Sequence, residues 1–133
     1  MEYKGVFDED FEEFLKTDIA KAISVENMKL IEATKRWGRD KGLTDPKAQL
    51  NKVMEELGEI AHEITRNKYE QNEALIDAFG DTLVTIIILA DMLGYDVMDC
   101  LEVAYNEIAN RKGKTENGTF VKEDNGEESN LQD

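Results

Sequence analysis

The chain has 133 residues, 41% of them hydrophobic and 35% charged, enough for one domain whose core needs neither disulfide nor structural metal. Asp and Glu number 30 against 16 Lys and Arg, a formal net charge of -14, which argues against nucleic acid or an anionic membrane as a general partner, because phosphate surfaces need a basic footprint. Cys100 is the single cysteine, so no internal disulfide is expected and a reducing cytoplasm is the natural setting.

Gly totals 9 and Pro only 1, too little turn punctuation for a many-stranded fold. Met1 to Lys4 shows no basic-then-apolar signal pattern. Residues 1–23 read as an acidic amphipathic segment. Within it Phe7, Phe11, Phe14 and Leu15 recur at helical spacing, as expected of a short helix that covers apolar surface on the core or on a second subunit. The main all-α domain is expected over residues 24–113. Its first long helix starts after Ser24, a good N-cap, and ends near Asp40 with Gly42 behind it. Leu30, Ala33 and Trp37 form one stripe of that helix, with Met28 and Ile31 beside it.

Thr44-Asp45-Pro46 marks the start of the second helix, with Asp45 as N-cap and Pro46 in the first helical position. It continues to about Arg66, with Leu50, Val53, Leu57, Ile60, Ala61 and Ile64 on its apolar face. Asn67 to Asn72 reads as a polar connection. The third helix runs from about Glu73 to Leu93 and stops at Gly94. Between Ala78 and Ala90 its only charge is Asp81, a run too short to span a bilayer. The fourth begins near Asp96 and reaches about Lys112, buried through Val97, Leu101, Ala104, Tyr105 and Ile108. Residues 114–133 are rich in Gly, Asn, Glu and Asp, with Phe120, Val121 and Leu131 as the apolar anchors. They read as an irregular arm passing into a disordered acidic tail. The sum is an all-α fold resembling a four-helix bundle.

Two acidic patches carry the chemistry. Glu55, Glu56 and Glu59 lie on the second helix, and Asp77 and Asp81 are one turn apart on the third. The wheel turns the glutamates away from the Leu50/Val53/Leu57 face, so taken alone they read as a solvated face. Like charges at i, i+3 and i, i+4 weaken a helix, and Lys52 can relieve Glu55 or Glu56 but not Glu59. Gly58, costly inside a helix, suggests room for a neighbouring helix or a ligand. Asp77 and Asp81 precede a run with no charge at all, and a helix apolar on every side is normally buried. No Lys, Arg or His lies between Glu70 and Asn110, so two carboxylates there would leave water without a counterion on their own helix, at a cost of several kcal/mol each. A divalent cation shared with the glutamates would resolve this, and an oxygen-only donor set selects Mg²⁺ first and Mn²⁺ second. His62, the lone histidine, reads as a surface residue.

Glu55-Glu56-x-x-Glu59, then 17 residues, then Asp77-x-x-x-Asp81 resembles the EExxE…ExxD signature of the all-α NTP pyrophosphohydrolases, and in particular the small MazG-like proteins of phages and bacteria. The similarity extends from about Leu30 to Glu123 and includes Trp37, Ala104 to Ile108 and the Asn110-Arg111-Lys112-Gly113-Lys114 ending. It implies hydrolysis of a nucleoside triphosphate, with a dNTP foremost, to the monophosphate and pyrophosphate. The metal ligands it implies are Glu55, Glu56, Glu59 and Asp81. Ala78 stands where the family has its ExxD glutamate, and Asp77 is the carboxylate available to replace it. Glu56 and Glu59 are the implied catalytic pair, one glutamate orienting or deprotonating the attacking water. For substrate binding the resemblance points to Arg111, Lys112 and Lys114 with Asn106 and Asn110, although cations at a helix C-terminus also serve as caps. Trp37 stacks on a base or belongs to the core. A homodimer or homotetramer is implied as well. The competing reading is a non-enzymatic acidic interaction protein, a nucleic-acid mimic or regulator, whose carboxylates would be spread over the surface.

Overall fold

A computed structural model describes residues 8–66, 69–70 and 72–124. Phe7, Leu131 and part of the 67–72 connection lie outside the described residues. Five helices and one small sheet follow in order: α1 (Glu9–Leu15), α2 (Asp18–Asp40), α3 (Pro46–Thr65), α4 (Glu73–Met92), α5 (Val97–Ala109), β1 (Gly113–Glu116) and β2 (Thr119–Lys122). The structure is thus mostly helical. It divides into one compact unit ending at Cys100 and a second beginning at Leu101, each described by itself.

Side-chain caps set the helix starts of the first unit. Asp8 accepts from the Phe11 N–H at 2.8 Å and Asp45 from the Lys47 N–H at 3.0 Å, each satisfying an orphan donor of the first turn. Thr17 does the same for the Ala20 N–H, so α2 begins at Asp18 and not after Ser24. Residues 18–24 contain no Gly or Pro to stop it, and the helix runs unbroken across the 23/24 boundary drawn from sequence. Gly42 and Gly94, both at positive φ, follow the ends of α2 and α4.

Packing centres on the antiparallel pair α3 and α4. Gln49 Nε2 donates to the Thr85 carbonyl at 3.2 Å, and Asn72 Nδ2 donates to Glu63 Oε2 at 2.7 Å. Gln49 and Glu63 lie towards opposite ends of α3, so the two bonds fix the register. Counting seven residues inward from the first sets Glu56 level with Ala78. The buried line of α4 is Ala78, Thr82, Thr85 and Ile88, and Gln49 and Val53 face it from α3. The buried hydroxyls of Thr82 and Thr85 donate back to carbonyls of their own helix at 2.8 Å, which satisfies them without a partner helix.

The C-terminal part of α2 crosses the end of α4. There a Cβ on Gly38 would lie 3.1 Å from Ile88, so glycine permits the close approach. Arg39 clasps Asp91 at 2.8 Å, and Lys35 Nζ donates to Glu32 and Asp96, both at 3.0 Å.

Two burial expectations fail in this unit. The third predicted helix was expected to be buried all round, yet Ile76, Phe79 and Leu83 of α4 are exposed, and so are Leu50, Leu57 and Ile64 of α3. A two-helix layer crossed at one end covers only the seam between its helices, and the remaining apolar side is left exposed among the described residues of this unit. Gly58, by contrast, leaves the room read from the sequence, with nothing within 4 Å of the point a Cβ would occupy. Ile19, Ile23, Met28 and Leu30 along the N-terminal part of α2 are exposed too. The segment before α2 does form the expected short helix. Its Phe11 and Phe14 rings lie 6.2 Å apart, and α1 packs on α2.

In the second unit, α5 stops at Ala109, short of Lys112, and buries none of its residues. Leu101 and Ile108, expected in a core, are exposed. Residues 113–122 form an antiparallel hairpin where an irregular arm was expected, in the register Gly113↔Lys122 to Glu116↔Thr119. Asn117 and Gly118 both have positive φ, at 50° and 76°, the backbone of a two-residue turn whose twist matches the strands. The Glu123 N–H donates to the Lys112 carbonyl at 2.9 Å, extending the ladder past Gly113.

Candidate functional site

Helix geometry places all five carboxylates. Taking the Gln49–Val53–Ile60 line of α3 as facing α4, Lys52, Glu59 and Glu55 are turned to one side by about 80–140°, Glu55 the furthest, and Ile64, Leu57, Leu50 and Met54 to the other by about 40–120°, at ~100° per residue. On α4, Asp77 and Asp81 are turned to one side of the Ala78–Thr82–Thr85 line and Ile76, Phe79 and Leu83 to the other. In an antiparallel pair, equal senses of rotation fall on the same side of the layer. One side of α3–α4 is therefore apolar, and the other carries the acids, with Val84 and Ile88 further along α4 on that same side.

Lys52 reports on that acidic side. Its Nζ donates to Glu55 at 3.0 Å and lies 3.9 Å from Glu56. Its pKa is raised, first by the hydrogen bond to Glu55 and further by the charges of Glu55, Glu56 and, from the other helix, Asp81. Asp81 is thus within electrostatic reach of the α3 glutamates. Glu56 is the most enclosed of the three, its side chain 16% exposed, because it sits beside the seam, level with Ala78.

Asp77 and Asp81 are themselves exposed. This corrects the argument that burial forces a cation upon them: α2 crosses α4 only near Ile88 and Asp91, beyond both aspartates. The family's glutamate position, Ala78, lies in the seam, buried against α3, and Asp77 is turned about 100° from it toward the acidic side. Among the described residues no three carboxylate, histidine or cysteine side chains converge closely enough to hold a metal ion. The carboxylates of the two facing helices are all oxygen donors, the kind hard cations take. Lys52, pointed among the carboxylates, supplies the positive charge there.

The residues expected to bind substrate separate into groups. Trp37 is half exposed and so is not core, and Lys41 Nζ lies 6.0 Å from its ring centre. Asn110, Arg111 and Lys112 line a cleft of about 200 Å³ in the second unit together with Glu107, Lys122 and Glu123. Asn110 Nδ2 reaches the Asn106 carbonyl at 3.3 Å, and Arg111 pairs with Glu107 at 2.7 Å. Lys114 is not among the lining residues. It lies in β1 and pairs with Glu116 at 2.8 Å, on the hairpin face opposite Lys122. The cleft thus gains one cation that sequence reading missed. The signal for Lys122 was present in Asn117-Gly118 between two short runs, which predicts a hairpin and hence the side each residue takes. His62 is exposed beside Arg66, as expected.

No family model matches the chain, and no solved structure matches it. A stretch of 64 residues is 34% identical to a protein of Haemophilus phage HP1 described as an uncharacterized 18.2 kDa protein in the rep-hol intergenic region. The match covers 46% of this chain and 37% of that protein, so the chain spans well under half of the relative's length. No helix among the described residues is long and apolar enough to cross a membrane.

Proposed function

We propose that the chain is a Mg²⁺-dependent nucleoside triphosphate pyrophosphohydrolase of the all-α, MazG-like kind, acting on a dNTP first and working in the cytoplasm. The observation that carries this reading is the sharing of one side of the α3–α4 pair by Glu55, Glu56, Glu59, Asp77 and Asp81. Glu55, Glu59 and Asp81 would hold the cation, with Asp77 in place of a ligand at Ala78; Mn²⁺ is the substitute. Such an ion supplies charge neutralisation on the leaving pyrophosphate and a more acidic bound water. Glu56, enclosed beside the seam, would orient and deprotonate the attacking water, with Glu59 one turn away. Lys52 would offset the mutual repulsion of Glu55, Glu56 and Asp81. In the unit of α3 and α4, Trp37 would offer an exposed ring to a base; in the other unit, Arg111 and Lys112 would offer donors to phosphate oxygens.

The apolar side of α3–α4 supports a homo-oligomer. Leu50, Leu57 and Ile64 continue into Ile76, Phe79 and Leu83, and a second copy packed there would complete a four-helix bundle as a dimer, or a tetramer built from two such pairs. The competing reading, an acidic interaction protein that mimics nucleic acid, is favoured by the net charge of -14 and by the exposure of Asp77 and Asp81. It does not account for the segregation of acids to one side.

The deciding experiment is pyrophosphate release from a panel of common NTPs and dNTPs with Mg²⁺, with Mn²⁺ and with chelator. Release from one or more nucleotides that stops with chelator, and that Glu59→Gln abolishes while the helical circular dichroism persists, is the expected result. Silence across the panel, with metal-free binding to a basic partner, would establish the interaction protein instead.

A further inference from the structure

We propose that Lys122 of β2, with Lys112 and Arg111, forms a built site for the polyphosphate tail of a nucleotide, an inference that rests on the hydrolase reading for its ligand but not for its test. The hairpin makes the site. Gly113 and Lys122 are register partners, so their side-chain positions share one face, and Lys114 falls on the other. Gly113 allows the strands to close: a Cβ there would come within 2.2 Å of the Val121 carbonyl oxygen and 2.5 Å of the Phe120 ring. The Glu123 N–H to Lys112 carbonyl bond then ties the end of β2 to the residue that enters β1. Lys122 is thereby brought to the cleft beside Asn110, Arg111 and Lys112, which no reading of the 110–114 run alone would do.

Charge gives the site its selectivity. Acidic residues outnumber basic ones nearly two to one in this chain, yet three cations and two acids line this cleft. Glu107 is engaged by Arg111. Among the described residues neither Lys112 nor Lys122 makes an ion pair, whereas Lys16, Lys21, Lys29, Lys35, Lys52 and Lys114 each do. Two unpaired ammonium groups beside a guanidinium suit a ligand with several negative charges. A cleft of about 200 Å³ also exceeds the room one water needs, about 30 Å³, several times over. A chain of two or three phosphates fits both the charge and the space.

The test is calorimetric titration of the full chain with inorganic tripolyphosphate in chelator at low salt, so that no metal takes part. Saturable binding is expected, weakened about tenfold by Lys122→Gln and by Lys112→Gln and unchanged by Lys29→Gln, whose ammonium lies on α2 beside Glu26. Absence of binding by the unaltered chain overturns the site. Equal weakening by all three variants does so too, since it would reflect net charge alone. Tripolyphosphate binding without turnover in the nucleotide panel would leave this site standing and remove the hydrolase. Turnover at an unchanged KM in Lys122→Gln would do the reverse.

Discussion

Lys35→Met removes one ammonium from the point where α2 meets the start of α5, and its consequences can be worked through. The side chain is 8% exposed and donates at 3.0 Å to both Glu32 and Asp96. Methionine keeps the aliphatic stem, so little packing is lost. A hydrogen bond to a charged group is worth about 1.5–3 kcal/mol when enclosed. The Glu32 and Asp96 side chains are 54% and 42% exposed, which draws each contribution toward the roughly 0–1 kcal/mol of a surface pair. Relief of the buried ammonium's desolvation offsets part of the loss. The net expectation is a destabilisation of about 1–2 kcal/mol at neutral pH.

The pH dependence separates this account from simple packing damage. Asp96 is held below the usual carboxylate range, first by Lys35 and then by the Asp99 N–H, while Lys35 is held above its usual value by Glu32 and then Asp96. The lowered carboxyl contributes stability above its unfolded value of about 3.9 and loses it as pH falls through the folded value. The raised lysine contributes below about 10.4 and loses it as pH rises through its own folded value. The variant's deficit is therefore full on the plateau between these limits and closes toward both ends. Urea unfolding followed by circular dichroism, at fixed protomer concentration because any oligomer adds to stability, measures the deficit; NMR titration of the Asp96 carboxyl measures its cause. An Asp96 that titrates at the same pH in the variant, or a variant as stable as the parent at pH 7, would refute the reasoning.

Two further perturbations address the outer surfaces. Leu83 is 60% exposed on the apolar side of α4, so Leu83→Glu should reduce the particle mass in analytical ultracentrifugation to that of one protomer while leaving the helices intact; an unchanged mass would remove that side from the assembly. Gly113→Ala forces a Cβ against the Val121 carbonyl, and it should abolish amide-exchange protection across 113–122 without lowering the unfolding midpoint of the helices. A hairpin protected as before would show that the strands have slack the geometry denies.

Local signals served well wherever the deciding interaction is itself local. The Asp45-Pro46 start and the stops at Gly42 and Gly94 were legible because cap and turn chemistry is settled within a few residues. The start of α2 was misplaced only because Thr17 and Ser24 are both good caps and nothing between them breaks a helix. The hairpin was missed for a different reason: composition outweighed Asn117-Gly118, a turn signal that was there to be read. For the candidate site, residue types and spacing along each helix were legible. The joint placement of the α3 and α4 acids on one side was not, since it needs the antiparallel register tied by Gln49–Thr85 and Asn72–Glu63.

Burial was the least legible property. Apolar content marks Ile76, Leu83 and Ile88 alike, but only Ile88 meets α2, at Gly38. The same local view made Asp77 and Asp81 look buried, because it could not tell that α2 crosses beyond them. It also showed no cation for α4, although Arg39 and Lys52 provide positive charge from other helices. By itself, then, the amino-acid order determined a charge-rich, mostly helical chain, the ends of most helices and an inventory of acidic and basic groups, because propensity, capping and periodicity act over a few residues. Tertiary structure alone decided which side of each helix is covered and that five carboxylates share one side of a pair. Those outcomes depend on register and crossing position, which are set by contacts between residues tens of positions apart.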